Sequence, residues 1–368
     1  MSTENRTPIS YSAAGVDTEA GDRAVELMKG ALRATHGPEV VGGAGGFAGL
    51  YDASALREYR RPLLATSTDG VGTKVAIAQA MDIHDTIGHD LVGMVVDDIV
   101  VVGARPLVMT DYIACGRVVP ERIADIVRGI AEACALTGTA LVGGETAEHP
   151  GLLGVDDYDV AGAATGVVEA DRVLGPDRVE EGDVLVALAS SGLHANGYSL
   201  VRRVLDLSGW TLERDVPELG RTLGEELLEP TRLYTRLCLE LAEDDGLHAL
   251  SHVTGGGLAA NLARVLPAGL VGDVERGSWQ VPPVFDLVRR LGPVEWADLE
   301  QTLNLGVGMV AVLAPAAAAR AVERARAAGI AAWELGTVAR LTDLHDDVVT
   351  GTKGMKGGAV RMHGAYRH

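Results

Sequence analysis

Aromatic residues make up only 4% of this 368-residue chain, and just two of them are phenylalanine. Large rings therefore cannot build the core, which must be packed from Val, Leu, Ile and Ala. Lysine is also scarce, with four residues against 28 arginines, and acidic side chains outnumber basic ones to give a formal charge of −19. That balance argues against a nucleic-acid or anionic-membrane surface, because both need cationic patches. Anionic small molecules stay open, since a metal ion or a helix N-terminus neutralises a phosphate locally. The three cysteines, Cys115, Cys134 and Cys238, lack metal-ligand spacing, which predicts reduced thiols in a cytoplasmic protein. No apolar run reaches 18 residues. The longest candidate, 87–102, is broken by His89, Asp90, Asp97 and Asp98, so no membrane span is expected. The first ten residues are polar, without an apolar signal segment. A Walker P-loop, a kinase signature and a 20–50-residue repeat are likewise missing from the sequence.

What is present reads as a two-domain globular chain. Hydrophobic residues are 47% and charged residues 23%, and the length exceeds what one core usually supports. The periodicity predicts an amphipathic helix over 18–34, with Ala24, Leu27, Met28, Ala31 and Leu32 on one side. Five glycines in the eight residues 42–49 form either a linker or a lid that closes on a ligand. A long helix is expected over 84–103, strands over 107–114 and 158–169, and a helix with Pro120 in its first turn. The first domain ends at about residue 174. A second opens with the apolar strand 183–189 and runs from 175 to 368, with a loose tail from about 347. Within it, helices are expected at about 221–228, 231–243, 259–265 and 316–328, and strands at 306–313 and 331–338.

Several stretches carry chemistry. In Thr68-Asp-Gly-Val-Gly-Thr-Lys74, two glycines free the backbone between a carboxylate, Asp69, and an ammonium, Lys74. This corner is either an ordinary strand–turn–helix or a cradle for a metal–phosphate ligand. In the next helix, Asp90 and Asp97 lie two turns apart and Asp98 one position round. Carboxylates in so apolar a helix either hold a cation or line a narrow solvent stripe. Asp111 sits mid-strand, where it is either edge-exposed or functional. Leu141-Val-Gly-Gly-Glu-Thr146 reads as a strand running into a glycine turn that presents Glu145. Ser190-Ser-Gly-Leu-His-Ala-Asn-Gly197 precedes a helix and places His194 either as a cap or in an anion cradle. Thr254-Gly-Gly-Gly257 is a second phosphate-compatible helix start, or a plain turn.

Taken in order, these segments resemble the phosphoribosylformylglycinamidine cyclo-ligase (aminoimidazole ribonucleotide synthetase) family. Ala14-Gly-Val-Asp17, Gly42-Gly-Ala-Gly-Gly-Phe47, His84-Asp-Thr-Ile-Gly88, Tyr158-Asp-Val-Ala-Gly162 and Asn304-Leu-Gly-Val-Gly-Met309 extend the likeness from about residue 11 to 338. The resemblance implies an α+β fold of two domains, the N-terminal one pairing across a homodimer. It implies ATP-dependent cyclisation of formylglycinamidine ribonucleotide to aminoimidazole ribonucleotide, with ADP and phosphate released.

By the same likeness, Asp69, Asp98 and Glu145 would hold Mg²⁺, and Gly70, Gly72, Thr73, Lys74 and Gly144 would adjoin ATP. Lys74 would neutralise phosphate. Gly43, Gly45 and Gly46 would belong to a closing loop. His194 would act at the phosphorylated oxygen, beside Asp69 and Lys74. Asn196, Thr254, Gly255 and Gly256 would hold the substrate's ribose phosphate. The chain departs from the family pattern at Asp97, where Asn is usual, at Leu193 and Ala195, where Pro and Ser are commoner, and at Ala13, which replaces a frequent Asp.

Overall fold

A computed structural model describes residues 17–43, 46–342, 348–351 and 357–367. Ala13, the start of the 14–17 motif, Gly45 and the two tail lysines lie outside the described residues.

The N-terminal part begins with helix α1 (Thr18–Ala34), whose first turn is capped by Asp17, accepting from the Ala20 amide at 3.1 Å. Its buried face is narrower than the periodicity predicts: Ala24 and Met28 are buried, but Leu27 is 49% exposed. Strands β1 (Val40–Val41) and β2 (Leu50–Tyr51) form a small ribbon flanking the glycine loop. Strand β3 (Pro62–Gly70) leads through a tight turn at Gly72–Lys74 into α2 (Val75–Met81) and α3 (Thr86–Val100). Strand β4 (Arg105–Cys115), helix α4 (Pro120–Thr137) and strands β5 (Ala140–Glu148) and β6 (Tyr158–Glu169) complete this part.

The four longer strands form one sheet in the order β3-β6-β4-β5, antiparallel except for the β4/β5 pair. Helix α3 packs on β3 and β6, and α4 packs on α3 and β5, so the helices cover one face. The other face is open and carries Leu64, 64% exposed, and Tyr112, 42% exposed. Helices α3 and α4 meet backbone to backbone. A β-carbon on Gly88 would lie 2.1 Å from the Ile130 nitrogen, so only glycine permits the crossing.

The C-terminal part is built on a seven-stranded sheet. Its strands are β7 (Val184–Ala189), β10 (Leu247–His252), β11 (Leu270–Glu275), β12 (Val307–Leu313), β13 (Ala332–Arg340), β14 (Val348–Thr350) and β15 (Ala359–His363). A second ribbon pairs β8 (Asp215–Val216) with β9 (Arg221–Thr222). The sheet order is β10-β12-β7-β13-β11-β15-β14, with β11 and β15 the parallel pair. Helices α5 (Tyr198–Ser208), α6 (Leu223–Leu227), α7 (Thr235–Leu241), α8 (Gly257–Leu262), α9 (Pro283–Leu291), α10 (Trp296–Glu300) and α11 (Pro315–Ala327) join them.

Three local expectations change. Helix α3 starts at Thr86 and ends at Val100, shorter at both ends than predicted. Strand β5 continues through Gly143, Gly144 and Glu145, where the sequence predicts a turn, because β4 pairs with it as far as Glu148. The two helices expected over 221–228 and 231–243 contract to α6 and α7, and residues 228–234 become an irregular strap. Pro230 lacks an amide proton, and the amides of Thr231 and Tyr234 bond instead to aspartates of α3.

Candidate functional site

The strap and the His194 loop of the C-terminal part are tied to α3 and the β3–α2 turn of the N-terminal part. Asp90, fully buried, accepts from the Thr231 amide at 2.9 Å and its hydroxyl at 2.6 Å. Asp97, also fully buried, accepts from the Tyr234 amide at 3.0 Å and the Thr235 hydroxyl at 2.6 Å. Neither carboxylate lies on a solvent stripe. Burial drives the Asp97 pKa up, against the pull of His252 and of these hydrogen bonds.

Lys74 takes a different role from the one its position implies. It is fully buried, and its ammonium donates to Asp90 Oδ1 at 2.8 Å, the His194 carbonyl at 3.0 Å and the Glu229 carbonyl at 2.7 Å. An ammonium has three protons, and these contacts use all of them. Phosphate neutralisation by Lys74 is therefore corrected to an internal tie between the two parts. Burial lowers its pKa, and Asp90 opposes that shift.

Asp69 and Asp98 meet in the cleft. Asp69 is exposed at the end of β3, where its Oδ1 accepts from the Gly70 amide at 2.7 Å. The Asp98 side chain is 40% exposed and bonds His252 Nδ1 at 2.9 Å. Burial works to lower the His252 pKa, but the Asp98 hydrogen bond and the charges of Asp98, Asp97 and Asp69 together raise it. Asp69 and Asp98 thus act on one imidazole.

Glu145 does not join them within one chain. Strand register aligns Asp69, Gly162, Asp111 and Gly144 in one row across the sheet. Gly70, Ala161, Tyr112 and Glu145 form the next row, whose side chains point to the opposite, open face. Among the described residues no group of three His, Cys, Asp or Glu side chains is placed to hold a metal. Glu145 therefore stands apart from Asp69 and Asp98 within one chain.

The row also explains Asp111. It is neither edge-exposed nor at the cleft mouth, but buried on the helix-covered face, with Oδ1 against Gly144. A β-carbon at Gly144 would lie 1.9 Å from that oxygen. Burial pushes the Asp111 pKa up to about 7. An acid protonated in the fold but ionised in the unfolded chain stabilises below its unfolded pKa, and that contribution is lost as pH rises through the folded pKa. Asp111→Asn is therefore expected to stabilise the protein at pH 8 by on the order of 2–4 kcal/mol, with little change at pH 4. Thermal melts at the two pH values check this.

His194 is the most unusual group here. It is buried, with φ of +64°, a left-handed backbone rare for a residue with a side chain. The Ser191 amide donates to its Nε2 at 3.2 Å. Nε2 is therefore the unprotonated nitrogen, and the neutral ring carries its proton on Nδ1. Nδ1 is buried and has no partner among the described residues. Burial, followed by the charges of His252, Lys74 and Arg232, holds the pKa well below 6.5, so the ring stays neutral at pH 7.

The loop bearing His194 is pinned by Asn304, which donates to the carbonyls of Gly192 (3.0 Å) and Leu193 (3.1 Å) and accepts from the Gly306 amide at 2.8 Å. Asn196 packs its amide on Met94 Sδ of α3, and a β-carbon at Gly255 would lie 3.2 Å from Asn196 Oδ1. The Thr254–Gly256 turn is therefore beside Asn196. Asn261 holds it by donating to the carbonyls of Thr254, Gly255 and Gly257. On the other side, Thr73 and Ser199 share a hydroxyl hydrogen bond of 3.0 Å. Gly43 and Gly46 are exposed in the loop between β1 and β2. His252 and Asn304 have no role in the sequence reading, and Asp90, expected to hold a cation or line a solvent stripe, instead binds Lys74 and Thr231. His252 stands two residues before Thr254, which is the only local signal for it.

The family models for the N-terminal and C-terminal domains of AIR synthase related protein match residues 51–168 and 180–344. The phosphoribosylformylglycinamidine cyclo-ligase of Desulfitobacterium hafniense (strain DSM 10664 / DCB-2) is 49% identical over 329 residues, covering 89% of this chain and 96% of that relative. The chain belongs to the phosphoribosylformylglycinamidine cyclo-ligase family. It is a ligase of purine biosynthesis, with the α+β fold of the AIR synthase related proteins. Two solved structures are similar in fold at low identity. Thiamine-monophosphate kinase from Stenotrophomonas maltophilia K279a superposes with a TM-score of 0.65 at 18% identity, covering 91% of this chain and 95% of that one. The hydrogenase maturation protein HypE in complex with ATP gives 0.58 at 19%, covering 89% of each. The cyclo-ligase motifs in this chain thus sit on a shared scaffold, with His194 at the seam of its two parts.

Proposed function

We propose that this cyclo-ligase uses ATP to close the imidazole ring of formylglycinamidine ribonucleotide, giving aminoimidazole ribonucleotide, ADP and phosphate. The observation that carries the reading is the His194 Nδ1–H, neutral, buried and unpartnered, held beside the Asp69/Asp98 cleft. A formamide carbonyl is a poor electrophile. Its oxygen takes the γ-phosphoryl group and ADP departs, leaving an iminophosphate. The ribosyl-bearing amidine nitrogen then attacks the formyl carbon. The C–O bond breaks, phosphate leaves with that oxygen, and a proton is lost from nitrogen. The His194 Nδ1–H donates to the oxygen that gains charge in these steps, a fixed dipole in a water-poor site. Asn196 and the Thr254–Gly256 turn orient the substrate. ATP binding is supported by the like-folded HypE, solved in complex with ATP.

Mg²⁺ is commonly bound by one or two carboxylates together with substrate phosphates. The accessible carboxylates Asp69 and Asp98 fit that donor set. The ion would neutralise the triphosphate there, with Gly70, Gly72 and Thr73 lining the turn alongside. The loop carrying Gly43 and Gly46 closes over the nucleotide, helped by the exposed ring of Phe47.

The open face of the N-terminal sheet pairs two chains in a homodimer, which would turn Glu145 towards the partner. Apolar Leu64 and Tyr112 on that face support this assignment. Leu64→Lys with Tyr112→Glu is expected to halve the mass measured by light scattering. A cytoplasmic location agrees with three free, buried cysteines and with the lack of any membrane-spanning helix among the described residues.

The test is an ATP-hydrolysis assay with and without formylglycinamidine ribonucleotide, with aminoimidazole ribonucleotide detected directly. ADP release that depends on the substrate and matches product one-to-one supports the reading. ATP hydrolysis without the imidazole product overturns it.

A further inference from the structure

A cavity of about 420 Å³ opens between the two parts of the chain, beside the 228–234 strap. Its walls include His89 of α3, Leu136 of α4, Ser191 of the His194 loop, and Glu229, Arg232 and Arg236. In a chain of net charge −19, two guanidinium groups and an imidazole around one hollow are a local reversal of sign. The one carboxylate in the wall, Glu229, is already paired with Arg221. Arg236 donates to the Ala135 carbonyl at 3.2 Å, which anchors its head at the rim.

Arg232 is different. Its Nε is buried and has no hydrogen-bond partner among the described residues. A buried N–H on a charged group is costly unless something accepts from it. Eight other buried side-chain atoms among the described residues share that state, Arg122 Nε included, so what singles Arg232 out is its place in the wall of a cavity, where the rest of its guanidinium can meet an anion. Arg232 is also close enough for its charge to act on both His194 and Tyr234. Ser191, in the cavity wall, donates its amide to the His194 ring. The hollow therefore adjoins the catalytic loop directly.

We propose that this cavity binds the phosphate monoester of the substrate, with Arg232 as its main cationic contact and Arg236 and His89 at the rim. The proposal rests on the cyclo-ligase reading and divides the substrate between two regions. At the Asn196–Gly255 corner the nearby cation, Arg264, is already tied to Asn261 Oδ1 at 3.2 Å, and the charges of Asp69 and Asp98 repel a phosphate dianion. The corner suits the neutral ribose and the reacting formyl end. The volume is adequate for a phosphoribosyl group, since small-molecule sites start at roughly 300 Å³. A guanidinium suits the task because its planar fork meets phosphate oxygens in pairs.

The experiment compares the wild type with Arg232→Met and Arg232→Lys on two substrates, formylglycinamidine ribonucleotide and its dephosphorylated riboside. Removing one partner of a buried charge pair predicts a KM for the ribonucleotide about 30-fold or more higher in Arg232→Met. The KM for ATP stays within about twofold, and the lysine variant falls between. The riboside, lacking the phosphate, is turned over equally by wild type and both variants. If Arg232→Met weakens riboside and ribonucleotide alike, or raises the KM for ATP instead, the assignment is wrong. Calorimetry on the wild type needs no variant: ribose 5-phosphate binds and ribose does not, whereas equal behaviour of the two sugars overturns the proposal. That titration stands even if the wild type forms no aminoimidazole ribonucleotide, an outcome that would count against the proposed reaction rather than the anion site.

Discussion

Lys74→Met destabilises the fold by about 3–5 kcal/mol, the usual cost of removing one partner from a buried ion pair. The loss arises because Asp90 is left without its cation in a fully buried position, while the carbonyls of His194 and Glu229 lose their donor. Urea denaturation measures the change. The double variant Lys74→Met/Asp90→Leu recovers part of it, since two buried charges leave together, although Thr231 then loses its acceptor. A lysine that served phosphate from an exposed position would behave oppositely, raising the KM for ATP with little effect on stability. The same variant also frees the backbone carbonyl of His194. Turnover is therefore expected to fall through the loop rather than through the nucleotide, with ATP affinity nearly unchanged in equilibrium binding.

His194→Ala lowers kcat by about 10²–10³-fold, the range seen when one preorganised donor to a developing oxyanion is removed. Nucleotide binding persists, because Asp69, Asp98 and the β3–α2 turn are untouched. The imidazole is held neutral by burial and by nearby positive charges. Consequently the wild-type rate shows no loss from His194 protonation between pH 6 and 8. A rate that fell as pH dropped through 6.5, in a manner abolished by His194→Ala, would mean that the ring titrates normally and is solvated. Rapid-quench measurement of the chemical step separates this effect from product release.

The two expectations were legible to different degrees. The β3–turn–α2 corner follows from an apolar strand, two glycines and a helix-compatible run, and it appears as predicted. Helices α1, α4 and α11 and strands β7, β12 and β13 follow equally from periodicity, proline at helix starts and β-branched runs. Asp98 was marked by its place in an apolar helix, and it reaches the cleft. By contrast, Asp90 and Asp97 sit in the same helix with the same local signal, yet they accept hydrogen bonds from an irregular strap more than 130 residues away in sequence. No property of residues 86–100 encodes which aspartate meets solvent. That depends on where Pro230 to Thr235 crosses the helix.

Glu145 makes the same point through register. One residue separates it from Gly144, and in a strand one residue is a change of face. Whether Glu145 shares a face with Asp69 was settled by pairing across four strands, where register shifts at Pro106/Val108 and at Met109/Thr110 reset the alternation.

The sequence alone determined the class of chain: two α+β units, an acidic surface unsuited to nucleic acid, and an ordered set of glycine turns, carboxylates and a histidine that specify the family. Those properties are local, fixed by composition, spacing and backbone permissiveness. Only the tertiary structure decided which charges are spent internally and which remain for ligands. Lys74, Asp90 and Asp97 are consumed in joining the two parts, whereas Asp69 and Asp98 stay accessible, Arg232 lines the cavity and the His194 Nδ1–H is left without a partner among the described residues. The reason is physical: the cost of a buried charge depends on partners brought from distant segments, and those partners exist only once the chain has folded.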